Sequence, residues 1–345
     1  MKWSYSDART FGQCQRQWGF KRRIASATSP EPFRREAYLL GKLQTLAQWR
    51  GGIIDYVISK AVVPILRQGG YPDRGRVLHA ARECYDTEMA FALAHRMWEP
   101  GLKVGQLPGT FAAFYDIEYK APPTPERLAE CWDEIERALG TLLEMRDLLE
   151  PLRHAQALID QRTLSFPFGG MSVIARPDLI ALYRDAPPKV IDWKAHAHMQ
   201  TAARGQLSLY AIVLTSALPH QDFRIDPRAW NALDVSLYEA QLLRNEVHNY
   251  QLEPPELDLA WSEIGESIVA MKRALGAEGA EWDVTELPVA RRAETCERCN
   301  FRRLCWPSMT GAAGVSLRSP PLTKDPAVIT PKRTHGDTRQ QHLPF

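Results

Sequence analysis

Ala175–His196 reads ARPDLIALYRDAPPKVIDWKAH, and the way its apolar runs are bounded by carboxylates decides the fold. Leu179–Tyr183 and Val190–Trp193 are too short for helices and rich in β-branched and aromatic residues, and Asp185-Ala186-Pro187-Pro188 separates them as a turn, so two paired strands are predicted. Just upstream, Thr163–Phe168 and Met171–Arg176 flank Gly169-Gly170 and extend the same meander. Downstream, the pattern predicts a helix over 201–217, a strand over Val235–Tyr238 and a helix over Leu257–Leu275. Strands interleaved with helices in this order give a mixed α/β chain.

Within the quoted stretch, Asp178 opens one strand, while Asp192 and Lys194 lie two apart on the next and share a face of the sheet. If these strands form a hairpin, Asp178 comes within reach of Asp192. Two carboxylates with the intervening Trp193 carbonyl make an oxygen-rich pocket suited to Mg²⁺ or Mn²⁺. A lysine beside them can orient or deprotonate a water and offset charge on phosphorus. A surface salt bridge is the ordinary reading of an isolated D-x-K triplet. Here the triplet interrupts an apolar strand, VIDWK, where unpaired charge is costly and usually functional. In GQLSLYAIVL, Gln206 and Tyr210 stand four apart and share a helix face, as boundary residues or as groups that steady the site or a DNA backbone.

The rest of the chain sets bounds. Its 345 residues exceed the size at which one core usually stops growing, so one elaborated domain or two small ones is expected. No run approaches the roughly 18 apolar residues of a membrane span, and the opening MKWSYSDARTFGQCQRQWGF lacks the features of a secretory signal, so a cytoplasmic location is expected. Net charge is only +2, so nucleic-acid binding would need a local basic surface. Arg16–Arg35, with Lys21, Arg22, Arg23, Arg34 and Arg35, offers one; a solvated helical face is the equal alternative. Residues 60–150 read as helical, most clearly after Thr124-Pro125, where Leu128, Trp132, Ile135, Leu139, Leu142 and Met145 form an apolar stripe. Cys84 and Cys131 in this region are expected to be small buried hydrophobes.

Cys296, Cys299 and Cys305 crowd ten residues in CERCNFRRLCW, and Cys14 lies near the other end of the chain. In a reducing compartment such thiols favour metal over disulfide. Zinc takes four thiolates but usually from two C-x2-4-C pairs, and only one is present; iron–sulfur clusters also take four thiolates.

The order Asp178, Asp192-Trp193-Lys194, Gln206-x-x-x-Tyr210, then Cys296, Cys299 and Cys305, with Cys14 far upstream, resembles the RecB-like branch of the PD-(D/E)XK nuclease superfamily. More narrowly, it is similar to that branch's iron–sulfur exonucleases, which include CRISPR-associated RecB-like exonucleases and AddB-type nuclease domains. The resemblance implies a restriction-endonuclease-like core, a central mixed sheet flanked by helices, with a helical insertion and a C-terminal iron–sulfur segment. It implies a [4Fe-4S] cluster on Cys14, Cys296, Cys299 and Cys305, a divalent metal on Asp178 and Asp192, catalytic help from Lys194, and the Gln206 and Tyr210 helix beside the site. The branch usually carries a metal-binding His four residues after a Gly on an early helix; here the position after Gly51 is Asp55, an oxygen ligand suited to Mg²⁺ or Mn²⁺. His196 and His198 stand where the branch often has Thr-Gly and read as loop residues.

The expected organisation is an N-terminal helical part of the core with Cys14 over residues 1–59, a helical insertion over 60–150, the nuclease core and cysteine cluster over 151–306, and a flexible tail over 307–345. The expected function is a Mg- or Mn-dependent DNA nuclease, an exonuclease or a nuclease of flaps and single-stranded ends, in repair, recombination or defence against foreign DNA. A helicase or defence-system partner is consistent with it. The alternatives are a nucleic-acid-binding subunit of weakened activity and a zinc-stabilised scaffold.

Overall fold

The computed structural model describes residues 1–97, 111–195, 203–218, 220–276, 282–309 and 318–319. A short strand β1 (Lys2–Trp3) precedes helices α1 (Tyr5–Gln13) and α2 (Gln15–Gly19), the latter continued by a π-helical turn Phe20–Ile24. Next come α3 (Pro32–Leu40) and α4 (Leu46–Val57). α4 begins at a capping box in which Thr45 Oγ1 accepts from the Gln48 N–H and Gln48 Oε1 accepts from the Thr45 N–H at 2.9 Å. A second π-helical turn, Ile58–Val62, leads into α5 (Val63–Arg67), α6 (Arg74–Ala94), α7 (Tyr115–Tyr119), α8 (Pro125–Glu144) and α9 (Arg146–Arg153). In α8 the Thr124 cap and first-turn proline stand where the sequence predicts them, and Leu128, Ile135, Leu139, Leu142 and Met145 are buried. Trp132 reaches only the margin of that core, while Cys131 and Cys84 are buried within it.

The strands begin with β2 (Ala157–Asp160), β3 (Leu164–Phe168) and β4 (Met171–Ala175), followed by β5 (Leu179–Leu182) and β6 (Lys189–Lys194). α10 (Ala203–Ser216) then connects to β7 (Ser236–Gln241) and β8 (Glu246–Tyr250), before α11 (Pro254–Leu275), β9 (Trp282–Asp283), α12 (Ala293–Glu297), α13 (Arg302–Met309) and β10 (Arg318–Ser319).

The predicted single meander is in fact divided between two sheets. β3 and β4 form a hairpin whose turn residues, Gly169 and Gly170, both have positive φ, as a tight hairpin turn requires, and β1 adds to it in parallel. β5 and β6 form a second hairpin in a mixed five-stranded sheet of order β2-β5-β6-β7-β8, with β6 and β7 parallel. The chain changes sheet at Arg176-Pro177-Asp178, where Pro177 has no N–H to continue a ladder.

β5 is buried at every position, and β6 at Val190, Ile191, Asp192 and Trp193, because the larger sheet has a core on each face. Val190 and Leu237 share one with α10 and α11, and Ile191, Trp193 and Ala240 share the other with α4 and α8. α10 is buried along most of its length: Leu207, Leu209, Ala211, Ile212, Val213 and Leu214 are at most 2% exposed, and the helix packs between the two sheets. Each such large aliphatic contributes about 1.5–3 kcal/mol over leaving it exposed.

No described helix is long and apolar enough to cross a membrane. Of the expected tail over 307–345, α13 continues as helix to Met309 and Arg318–Ser319 pairs antiparallel with β9; the remainder, like His196 and His198, lies outside the described residues.

Candidate active site and thiol pocket

The β5–β6 pairing aligns Leu179 with Ile191, which places Asp178 beside Asp192 as the hairpin opens. Asp178 Oδ2 accepts the Trp193 N–H at 2.9 Å, so the carboxylate replaces a ladder partner just before β5 begins. N–H and C=O of one strand residue leave on the same side, so the Trp193 carbonyl is directed there as well. Gln161, held at φ 50° between β2 and β3, fixes Asp178 further: its N–H donates to the Asp178 carbonyl at 3.0 Å and its Nε2 to Oδ1 at 3.1 Å. A non-glycine residue in that conformation is strained, and such strain collects at functional sites.

Asp192 is 1% exposed and ion-paired with Lys194. Gln206 reaches both, donating from Nε2 toward Asp192 Oδ1 at 3.5 Å and accepting from Lys194 Nζ at 3.4 Å, while its amide also donates to Tyr210 Oη. The structure therefore brings Asp178, Asp192, Lys194, Gln206 and Tyr210 into one cluster. Asp55, on α4, joins it electrostatically: burial first, then the neighbouring Asp192, pushes its pKa up to about 7, against the pull of Lys194 and Arg176. Asp178 is raised well above the usual carboxylate range by burial, then by Asp192 and Asp55. Burial also raises Asp192, although Lys194 opposes it. For Lys194 burial acts downward, but Asp192, Asp178 and Glu239 outweigh it and raise the ammonium pKa, so the side chain stays charged at neutral pH. Tyr210 is raised by burial and by Asp192.

Sequence reasoning missed four residues at this site. Glu239, 2% exposed, is the direct parallel partner of Asp192 and accepts a hydrogen bond from fully buried Gln241. The signal was present: Glu239 breaks an apolar strand as Asp192 does, but the predicted strand stopped at Tyr238. Tyr5 of α1 lies close to Lys194, and its Oη would stand 3.0 Å from a Cβ added at Gly205. Arg50 is 8% exposed; it pairs with Glu134 of α8 and donates to the Ala195 carbonyl at 2.6 Å, at the exit of β6. Neither Tyr5 nor Arg50 had a sequence signal, and Gln161 had only its place between two strands.

Among the described residues, no group of three or more His, Cys, Asp or Glu side chains already stands in metal-holding geometry. The donor chemistry nevertheless fits a hard divalent cation: Asp55, Asp178, Asp192 and Glu239 gather carboxylate oxygens at one place, and Lys194, paired with Asp192 Oδ2, is a cation that offsets them.

Cys14, Cys296, Cys299 and Cys305 line one pocket with Gln17, Phe20, Thr295 and Arg302, and none is in a disulfide. Burial pushes Cys299 up to about 12 and raises Cys296 and Cys305, so these thiols are protonated until a metal displaces the protons. The donor set, four thiols from the two ends of the chain, fits a four-thiolate group.

Residues 52–306 match the PD-(D/E)XK nuclease superfamily. No curated protein matches the chain. Among solved structures, a protein from Eubacterium rectale described as a candidate exonuclease shares 9% identity, with 77% of this chain and 82% of that one covered at a TM-score of 0.35. SSO0001 shares 14% identity over 55% of this chain and 77% of its own, at a TM-score of 0.27. The family match runs from α4 through the Asp178, Asp192 and Lys194 cluster to the last cysteine, and this chain belongs to the PD-(D/E)XK nuclease superfamily.

Proposed function

We propose that the chain is a Mg- or Mn-dependent deoxyribonuclease of the RecB-like iron–sulfur branch, cutting DNA phosphodiesters at single-stranded ends or flaps. The observation that carries the reading is the meeting of Asp178, Asp192, Lys194 and Gln206 at the open end of one hairpin, inside a chain of this superfamily. Asp178 and Asp192 would hold the metal, with Asp55 as a third carboxylate. A bound divalent ion supplies Lewis-acid activation of water and neutralisation of phosphate charge. Lys194, paired with Asp192, orients or deprotonates the attacking water and offsets charge on phosphorus. Gln206 fixes Lys194 and Asp192 in one arrangement, and Tyr210 holds the Gln206 amide.

Cys14, Cys296, Cys299 and Cys305 would carry a [4Fe-4S] cluster that fastens the C-terminal segment to the N-terminal helices. Membership of the branch suggests work in the cytoplasm in repair, recombination or defence, beside a helicase or defence-system partner. The test is anaerobic incubation with labelled single- and double-stranded DNA and Mg²⁺ or Mn²⁺, beside Asp192→Ala. Metal-dependent cutting lost in the variant supports the reading, and cutting that the variant retains sinks the site assignment. Binding without cutting by either protein supports a nucleic-acid-binding subunit instead. A brown preparation with stoichiometric iron and sulfide supports the cluster, and a colourless one with stoichiometric zinc overturns it.

A further inference from the structure

The basic residues between Arg16 and Arg35 are satisfied unequally. Lys21 and Arg22 share the fully buried carboxylate of Asp7. Arg16 donates to the carbonyls of Thr285 and Leu287, and Arg35 to those of Ser29 and Pro30 at 2.6 and 2.7 Å. Arg23 and Arg34 are different. Arg34 Nη2 donates to the Arg23 carbonyl at 3.1 Å, which holds α3 against the π-helical turn and brings the two side chains together. Arg23 Nε, Arg23 Nη2 and Arg34 Nη1 are buried and have no acceptor, and among the described residues no carboxylate pairs with either side chain. Burial first, then the charge of Arg34, lowers the pKa of Arg23. The Arg23 guanidinium also lies over the Trp282 ring, 5.1 Å from its centroid.

Two neighbouring guanidinium groups with unfilled donors form an arrangement that folding alone disfavours. What it lacks is a bidentate anion, and phosphate oxygens match the planar fork of arginine in geometry and charge. Both side chains remain partly exposed although these three donors are buried, so a ligand meets the pair at its exposed edge and reaches the unfilled donors only as the side chains turn toward it. The chain from Tyr5, which lies close to Lys194, to Arg23 is almost wholly helical, so the pair stands within roughly 30 Å of Tyr5.

We infer that Arg23 and Arg34 form a phosphate-binding pair that grips the backbone of a nucleic-acid strand away from the carboxylate cluster. That a strand supplies the phosphate rests on the nuclease reading; the anion chemistry does not.

The test compares wild type with the Arg23→Gln/Arg34→Gln double variant and with Arg34→Lys, by fluorescence anisotropy of a labelled single-stranded oligonucleotide without divalent metal, over a range of salt. The expected result is about tenfold weaker binding by the double variant and a fall of about 0.7 in the slope of log K against log salt, the value for one phosphate on a single strand. Arg34→Lys, which keeps charge but loses the fork, should fall between. Without ligand the double variant should melt at the same or a higher temperature, whereas a purely structural role for these arginines predicts a lower one. Inorganic phosphate should raise the melting temperature of wild type alone. With Mg²⁺ present, KM should rise for long oligonucleotides and stay unchanged for trinucleotides, with kcat unaffected.

Unchanged affinity and slope overturn the proposal, as does a double variant that is destabilised while Arg34→Lys binds normally. Stabilisation by phosphate with no change in oligonucleotide affinity makes this a free-phosphate site and overturns the strand assignment. Arginine-dependent binding by a protein that cuts nothing refutes the nuclease reading and leaves this one standing.

Discussion

At the scale of single residues the site is governed by an excess of buried negative charge. Asp55 keeps its proton up to about pH 7 in the folded protein, against 3.8 for the ordinary group. Between those values the folded state binds more protons than the unfolded state, so the contribution of Asp55 to the stability of metal-free protein is fully present below about pH 4 and lost as pH rises through 7. The whole effect is on the order of 2–4 kcal/mol. Melting temperature of metal-free protein should therefore fall from pH 5 to pH 8, and Asp55→Asn should flatten the fall. Added Mg²⁺ or Mn²⁺ should stabilise wild type more at the upper end, because the proton no longer competes. Lys194→Met should lower kcat by roughly 10²–10⁴ and leave stabilisation by metal in place. A variant of normal kcat would remove Lys194 from the chemistry.

At the scale of elements, close approach is what holds the parts in register. Arg50 ties α4 to α8 through Glu134 and to the end of β6 through the Ala195 carbonyl, one residue past Lys194. Arg50→Ala should cost about 2–3 kcal/mol in chemical denaturation and lower activity as well, because the exit of β6 loses its anchor. Gly19 ends α2 where a Cβ would lie 2.8 Å from Leu287, 2.9 Å from Val284 and 3.0 Å from Trp282. Gly19→Ala should therefore destabilise by about 1–3 kcal/mol through overpacking. Because Cys14 caps α2, the proposed cluster predicts that the same variant retains less iron after purification. Stability equal to wild type would show that the contact yields freely. Of the strands, β3 to β7 were legible as short apolar runs, whereas β2, reading Ala157-Leu158-Ile159-Asp160, and β8, reading Glu246-Val247-His248-Asn249-Tyr250, were not. β8 is an edge strand with Val247 and Asn249 exposed and polar Glu246 and His248 half-buried, so no apolar alternation marks it, and only its pairing with β7 makes it a strand.

At the scale of the whole molecule the cysteine segment over 296–305 meets the N-terminal helices. Beyond the thiol pocket, Phe20 stacks on Phe301 with centroids 5.5 Å apart, Asn300 donates to the Leu43 carbonyl at 3.0 Å, and Tyr115 and Tyr119 donate to the carbonyls of Glu297 and Asn300. The cysteine segment is thus docked on residues from α2 to α7 by contacts that do not involve the thiols. Cys299→Ser should lose iron and lower the melting temperature by roughly 5–15 °C, while limited proteolysis should cut first in the cysteine segment. An unchanged melting temperature would mean that these contacts suffice alone.

The sequence by itself determined the mixed α/β class, the hairpin carrying Asp178, Asp192 and Lys194, the α8 stripe with its Thr124 cap, and the crowding of Cys296, Cys299 and Cys305. All of these are local: a strand period of two, a helical period of 3.6, and turn residues between. Only the tertiary structure decided that the meander splits between two sheets at Pro177, that Glu239 lies beside Asp192, and that Gln161, Tyr5 and Arg50 reach the site from distant segments. It also decided which arginines of the basic stretch are already satisfied and which are not. Such facts depend on which elements pack together, and no periodicity along the chain encodes the partner a buried charge will meet.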